Sequence, residues 1–380
     1  MWIGQSLALR PMNTGSSIDV VDYSNLNQKI ILTTNDNSLV SNTDTITKNS
    51  ALTDTLTNVE KVIGTAHDDQ MSGAGLADTF ESGAGNDTLS GFNGADKLYG
   101  GSGNDIYKAT SYDDGNDVIS DNDGSDTVDY SAISDNTYRL EVNLSNTLTA
   151  GILSGNALIK SGSGVVTTHQ TDTLSGIENI IGTAGDDTIV GNDSINIIET
   201  GLGKDTIYSG AGADIIDAGL GDDKIVFRTT SESKDDIIDG GTDVSGIDTD
   251  EVDYSLLSSG ITVTLNTTNS ANVIINGVND HEIKNIENVT GTSGTDFIIG
   301  DSKNNTFVGN NGNDTLYGGS GDDKLYGGIG NDILRGGIGD DLLDGGDGID
   351  TVDYSDATEN LTVNITNGPK SISATLGTDT

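Results

Sequence analysis

Residues 291–354 read G-T-S-G-T-D-F-I-I, G-D-S-K-N-N-T-F-V, G-N-N-G-N-D-T-L-Y, G-G-S-G-D-D-K-L-Y, G-G-I-G-N-D-I-L-R, G-G-I-G-D-D-L-L-D and G-G-D-G-I-D-T-V-D-Y. The step is nine residues, taken seven times without a slip. Position 6 carries Asp296, Asn305, Asp314, Asp323, Asp332, Asp341 and Asp350. Position 8 carries Ile298, Phe307, Leu316, Leu325, Leu334, Leu343 and Val352. Glycine at positions 1, 2 and 4 permits backbone angles with positive φ, hence a tight loop with inward-turned carbonyls. The apolar residue at position 8 sits on a short strand facing inward. Two nonapeptides make one coil, and strands of successive coils stack in parallel about 4.8 Å apart. The fold class is therefore all-β, a parallel β-roll or β-solenoid.

The loop chemistry points to a cation. A carboxylate two residues after the last glycine, beside loop carbonyls, offers hard oxygens, and calcium takes six to eight of them. One loop supplies about half a shell, so two loops must share an ion.

Working outward, the same nonapeptide fills two earlier arrays. In residues 64–108, position 6 holds Asp69, Asp78, Asp87, Asp96 and Asp105, and position 8 holds Met71, Phe80, Leu89, Leu98 and Tyr107. In residues 182–226, position 6 holds Asp187, Asn196, Asp205, Asp214 and Asp223, with isoleucine at every position 8. The metal-ligand candidates are the position-6 aspartates of all three arrays. Between arrays a second element recurs. It opens with V-D-Y-S (Val21–Ser24, Val128–Ser131, Val252–Ser255, Val352–Ser355). An alternating, half-buried strand follows (Lys29–Thr33, Tyr138–Leu144, Ile261–Leu265, Leu361–Ile365). It closes on T-D-T-L-T-N-V-E-K-V-I-G-T, T-D-T-L-S-G-I-E-N-I-I-G-T or H-E-I-K-N-I-E-N-V-T-G-T.

The organisation read from this is a leader without assigned role (1–17), linker or cap strands (18–63), array 1 with its exit loop (64–127), and linker strands (128–181). Array 2 with its exit loop (182–251), linker strands (252–290), array 3 (291–351) and a truncated linker (352–380) follow. The acid-rich exits Asp113–Asp129 and Asp235–Asp253 match no EF-hand loop and read as solvated acidic loops, with an extra bound ion as the alternative. The last residues stop inside a linker element, so the expectation is a fragment of a longer array.

Composition narrows the function. There are 60 Asp and Glu against 17 Lys and Arg, a formal charge of −43. Phosphate binding needs a basic surface, so nucleic acid is excluded as a partner, and so is an anionic membrane face. No cysteine is present, which excludes disulfides and thiolate metal sites. No stretch approaches the roughly 18 apolar residues of a membrane span. The three histidines, His67, His169 and His281, are scattered. His281-Glu282 lacks the second His of a zinc-protease helix, and no phosphate loop or dinucleotide fingerprint appears. The expectation is that residues 1–380 carry no catalytic site. Tyr99, Tyr317 and Tyr326 at position 9 read as structural, with a sugar platform as the alternative.

From Gly64 onward the arrays and linkers resemble the RTX, or hemolysin-type calcium-binding repeat, family. The V-D-Y-S to I-E-N-V-x-G-T linker resembles that of very long bacterial RTX surface proteins. The resemblance implies calcium between successive turns of the roll, bound by position-6 Asp and loop carbonyls, with Asn196 and Asn305 lacking the charge. It also implies type I secretion and folding outside the cell. Two functions are compatible with it. One is a calcium-rigidified structural segment of a large secreted or cell-surface protein of adhesin, matrix or surface-layer type, whose partners are calcium and the other domains of a longer chain, with possible cell-surface or polysaccharide contact. The other is the accessory calcium domain of a secreted protease, lipase, polysaccharide-modifying enzyme or toxin.

The second nonapeptide of each array departs from the pattern: Gly73–Glu81, Gly191–Glu199 and Gly300–Val308. Position 4 is Leu76, Ser194 or Lys303, and Lys303 brings a positive charge to the place of an ion. The first coil of each array is expected to be a cap with one calcium-poor side. The ion count is expected at roughly eight to eleven if loops two apart share each ion.

Overall fold

The computed structural model describes residues 19–33, 43–48, 52–57, 59–147, 149–162, 166–228, 235–242, 248–355, 357 and 372–373. The leader 1–17 and the last linker strand Leu361–Ile365 lie outside them. Every regular element among the described residues is a β-strand. No helix there is long and apolar enough to cross a membrane. The chain divides into two compact units, residues 1–183 and 184–380.

In the first unit, consecutive strands alternate between two parallel sheets. One sheet runs Val20–Asp22, Lys61–Ile63, Thr79–Ala84, Lys97–Ser102, Val118–Ser120 and Thr167–Ser175. The other runs Ile30–Thr33, Gln70–Ser72, Thr88–Ser90, Ile106–Lys108, Thr127–Asp129 and Asn179–Ile181. The register pairs Val62 with Phe80 and Phe80 with Leu98, and Met71 with Leu89 and Leu89 with Tyr107. Two nonapeptides therefore make one coil. The alternating linker strands fold back as antiparallel excursions, Tyr138–Asn143 on Asn156–Ser161 and that strand on Thr167–Ser175.

The second unit repeats the plan. Thr188–Val190, Thr206–Tyr208, Lys224–Val226, Glu251–Asp253, Asn288–Thr290, Thr306–Val308, Lys324–Ile329 and Leu342–Asp347 form one parallel run. It passes from array 2 to array 3 without a break, so the linker is a decorated coil of the same roll. On the other sheet the linker adds Ala271–Ile275, antiparallel to both Val278–Lys284 and Ile261–Thr264, and Ile261–Thr264 pairs parallel with Phe297–Ile299.

The core is the position-8 row. Met71, Phe80, Leu89, Leu98 and Tyr107 are buried, as are all five isoleucines of array 2 and the series Ile298 to Leu343. One such side chain per nine residues, about 1.5–3 kcal/mol each, is a thin core for the chain it must order.

V-D-Y-S is where a strand leaves the roll. Tyr23, Tyr130 and Tyr254 are buried, and their N–H groups bond the carbonyls of Ile63, Ile181 and Thr290 on the neighbouring strand. The Asp before each Tyr accepts the Ser N–H in a side-chain turn, 2.8 Å for Asp22, 2.9 Å for Asp129 and 2.8 Å for Asp253.

Candidate metal centres

The position-6 residues form columns along each roll. The N–H of each one donates to a side-chain oxygen of the next coil's residue. In the first unit, Asp69 donates to Asp87 at 2.7 Å, Asp87 to Asp105 at 2.7 Å and Asp105 to Asp126 at 2.8 Å. Asp126 then donates to Glu178. Opposite, Asp78 donates to Asp96, Asp96 to Asp117 and Asp117 to Asp172. In the second unit the columns are Asp187–Asp205–Asp223–Asp250–Glu287, Asn196–Asp214–Asp236, Asp296–Asp314–Asp332–Asp350 and Asn305–Asp323–Asp341. The fifteen predicted aspartates all stand in these columns.

Only one oxygen of each carboxylate is used this way. Oδ2 of Asp87, Asp96, Asp105, Asp205, Asp214, Asp223, Asp314, Asp323 and Asp332 is buried and has no hydrogen-bond partner. Beside Asp87 and Asp205, the hydroxyls of Ser82 and Thr200 give their protons to the Gly100 and Ala218 carbonyls instead. A buried carboxylate oxygen left without a donor costs free energy unless a cation meets it. The glycine at position 1 keeps the space beside it open. A Cβ on Gly318 would collide with Asp323 Oδ2 and with the Gly336 carbonyl oxygen of the next coil, and one on Gly327 with Asp332 Oδ2 and the Gly345 carbonyl. Carboxylate and carbonyl oxygens from successive coils thus face one another, a hard donor set that fits calcium.

The structure makes the whole first coil of each array different. Positive φ at position 4 occurs at Gly85, Gly94 and Gly103, at Gly203, Gly212 and Gly221, and from Gly312 to Gly348. The position-4 residues of the first two nonapeptides are absent from that set, including Leu76, Ser194, Lys303 and Gly294. The carboxylates there are held by protein. Asp69 Oδ2 accepts the Thr65 N–H at 2.6 Å and Asp296 Oδ2 the Thr292 N–H at 2.7 Å. Asp78 Oδ2 accepts the Ala74 N–H at 3.2 Å. Asn196 and Asn305 accept the N–H four residues back, at 2.8 and 3.1 Å. The Asn305 amide donates to the Glu287 carbonyl, and the Lys303 ammonium lies 2.5 Å from the Glu287 carboxylate.

The exit segments correct the sequence reading. Among their described residues the acids are not simply solvated: Asp114, Asp117, Asp121 and Asp126 are buried, as are Asp236, Asp250 and Asp253. Gly115, Asp117 and Ile119, then Gly124, Asp126 and Val128, repeat positions 4, 6 and 8. The extra residues Ala109–Ser111 stretch the column step from 18 to 21 residues, which hides the repeat. After array 2 the steps are 22 and 27 residues. The linker motifs T-D-T-L and I-E-N supply Asp172, Glu178 and Glu287, which lie outside the nonapeptide pattern and carry no local mark of column membership. His281 takes the corresponding place beside Asp236, buried, with Nδ1 3.4 Å from an Asp236 oxygen.

Electrostatics follow from burial. Desolvation, aided by neighbouring carboxylates, pushes Asp96 and Asp223 up to about 8, and Asp250 to about 9. Asp105, Asp314 and Asp323 go to about 7. Such groups take up either a proton or a cation at neutral pH. With folded values raised above the unfolded 3.8, the calcium-stripped fold binds more protons than the unfolded chain. That stabilisation is complete near pH 4 and is lost as pH rises through about 7–9. Calcium-stripped protein should therefore hold more β-structure at pH 5 than at pH 8, by circular dichroism. A β content that climbs with pH would contradict the burial of these groups.

With the geometry in place, comparison with known families gives a match to the RTX calcium-binding nonapeptide repeat (4 copies) at residues 72–107, 113–132, 172–194, 190–225, 290–325 and 317–352. The chain carries RTX calcium-binding repeats. The RTX matches include the first exit, 113–132, where the columns continue through Asp117 and Asp126. No curated protein matches the chain. The RTX arrays make it a calcium-binding structural β-roll.

Proposed function

We propose that this chain is a calcium-folded structural segment of a secreted or cell-surface protein, of adhesin, matrix or surface-layer type and part of a longer polypeptide. The observation that supports it best is the row of buried Oδ2 atoms, on nine position-6 aspartates of the arrays, without a protein hydrogen-bond partner. A fold that strands so many carboxylates is stable only where calcium is plentiful. Extracellular calcium sites work at about 10⁻⁴–10⁻³ M, far above the free calcium inside a cell. Type I export of an unfolded, calcium-free chain followed by folding outside suits that difference. A calcium titration followed by circular dichroism tests the reading, with the folding midpoint expected in that range. A midpoint below about 10⁻⁶ M, at or under the range where intracellular calcium sensors work, would remove the extracellular switch.

We also propose that the segment has no catalytic activity of its own. Its carboxylates are turned between coils and tied to backbone N–H groups, as Asp323 is, at 1% exposure. Purified protein with calcium, screened on peptide, ester and polysaccharide substrates, should show no turnover. Measurable hydrolysis that tracks the protein through purification would overturn this.

A further inference from the structure

We propose that the calcium site closing the first array is built from Asp105, Asp121 and Asp126 and holds its ion more tightly than the repeat loops before it. The proposal rests on the calcium reading above and adds a third carboxylate, Asp121, that the nonapeptide pattern does not contain. One carboxylate oxygen of each of the three residues lies within 4.8 Å of the others, and all three residues are buried. Asp105 and Asp126 are column members. Asp121 is not; it stands where the regular repeat has its first glycine.

That substitution changes the chemistry. In the regular coils the space beside the first glycine is faced by one carboxylate oxygen and one carbonyl oxygen: Asp314 and Gly327 beside Gly309, Asp332 and Gly345 beside Gly327. Beside Gly100 the neighbours are Asp105 Oδ2, Asp121 Oδ2 and the Tyr107 hydroxyl. A full negative charge thus replaces a carbonyl dipole.

Asp105 points independently to a ligand. Its exposure is 0%, its Oδ1 accepts the Asp87 N–H, and its Oδ2 has no partner. Asp121 is held rigidly: the Tyr107 hydroxyl donates to Oδ2 at 2.5 Å and the Asn122 N–H to Oδ1 at 2.6 Å. The Asp123 N–H adds a contact to Oδ1 at 3.5 Å, and the Gly101 N–H reaches both oxygens at 3.3 and 3.4 Å. Asp126 accepts the Asp105 N–H. Among the described residues no Lys or Arg pairs with any of the three. Calcium affinity rises with the number of charged ligands and with rigidity of the site, so three carboxylates should fill first.

Tyr107 provides the readout, because a terbium(III) ion at Asp121 would lie close enough to be sensitised by its ring. Terbium is added stepwise to the full chain and tyrosine-excited emission is recorded, with calcium calorimetry in parallel. The first equivalent should light up in the wild type. Tyr107→Phe should lose more than half of that first-phase emission. Asp121→Asn should weaken the tightest calcium phase at least tenfold, whereas Asp341→Asn should leave it in place. Undiminished first-phase emission in Tyr107→Phe, or an unchanged tightest phase in Asp121→Asn, would overturn the site. If Asp121→Asn fails to fold, Tyr107→Phe decides. Failure of the wild type to bind any calcium would instead sink the calcium reading as a whole.

Discussion

Calcium-stripped protein at pH 7.5 loses most of its β-structure by circular dichroism and regains it in millimolar calcium. The expectation follows from two magnitudes. Each nonapeptide buries one apolar side chain, which offsets only part of the entropy of ordering nine residues. The columns then set carboxylates one coil apart, as in Asp69–Asp87–Asp105, on a chain of net charge −43. A cation removes the repulsion and satisfies the stranded Oδ2 atoms at once. At free calcium ten to a hundred times the dissociation constant, each site contributes about 1.4–2.7 kcal/mol, which many sites multiply. Magnesium should restore little, because it demands tight octahedral geometry and keeps its waters. Equal β content with and without calcium would contradict the account.

Gly330→Ala should cost about 2–4 kcal/mol and raise the calcium midpoint of folding severalfold. Gly330 has φ +154, and a Cβ there would stand inside the Gly312 carbonyl oxygen of the preceding coil. Backbone cannot yield without opening the two stacked loops. Position 2 is more forgiving: Phe92 and Asn310 hold φ of 61 and 70 with side chains in place. Ile329→Ala, at a side chain 60% exposed, is the control and should move the midpoint little. Calcium titrations on the two variants make the comparison. A Gly330→Ala protein as stable as Ile329→Ala would mean the loops do not stack as described.

Much of the roll is legible in the chain. The nine-residue step fixes which residues face inward, and every position-8 side chain from Met71 to Leu343 is buried. Glycines at positions 2 and 4 take the expected positive φ, whereas those at position 1, such as Gly318 and Gly327, do not and serve by leaving room beside the carboxylate. What the sequence hides is the continuity of the columns. The insertion Ala109–Ser111 breaks the spacing without breaking the hydrogen-bonded ladder, because a loop can bulge while the strands keep register. Asp172 and Glu178 look like strand punctuation, yet tertiary pairing with Asp117 and Asp126 makes them column members. The first coil was legible only in part. Lys303 and Asn305 mark a departure, but nothing in G-T-S-G-T-D shows that Thr292 holds Asp296 through its N–H and hydroxyl.

The central claim is that calcium sits against the buried Oδ2 atoms of the position-6 aspartates, between successive coils. Anomalous diffraction at long wavelength, from crystals grown in calcium, tests it atom by atom. Peaks should lie beside Asp87, Asp96, Asp105, Asp205, Asp214, Asp223, Asp314, Asp323 and Asp332, with none against Asn196 or Asn305. Well-ordered coils without peaks at those aspartates, their carboxylates protonated or bound only to water, would contradict it.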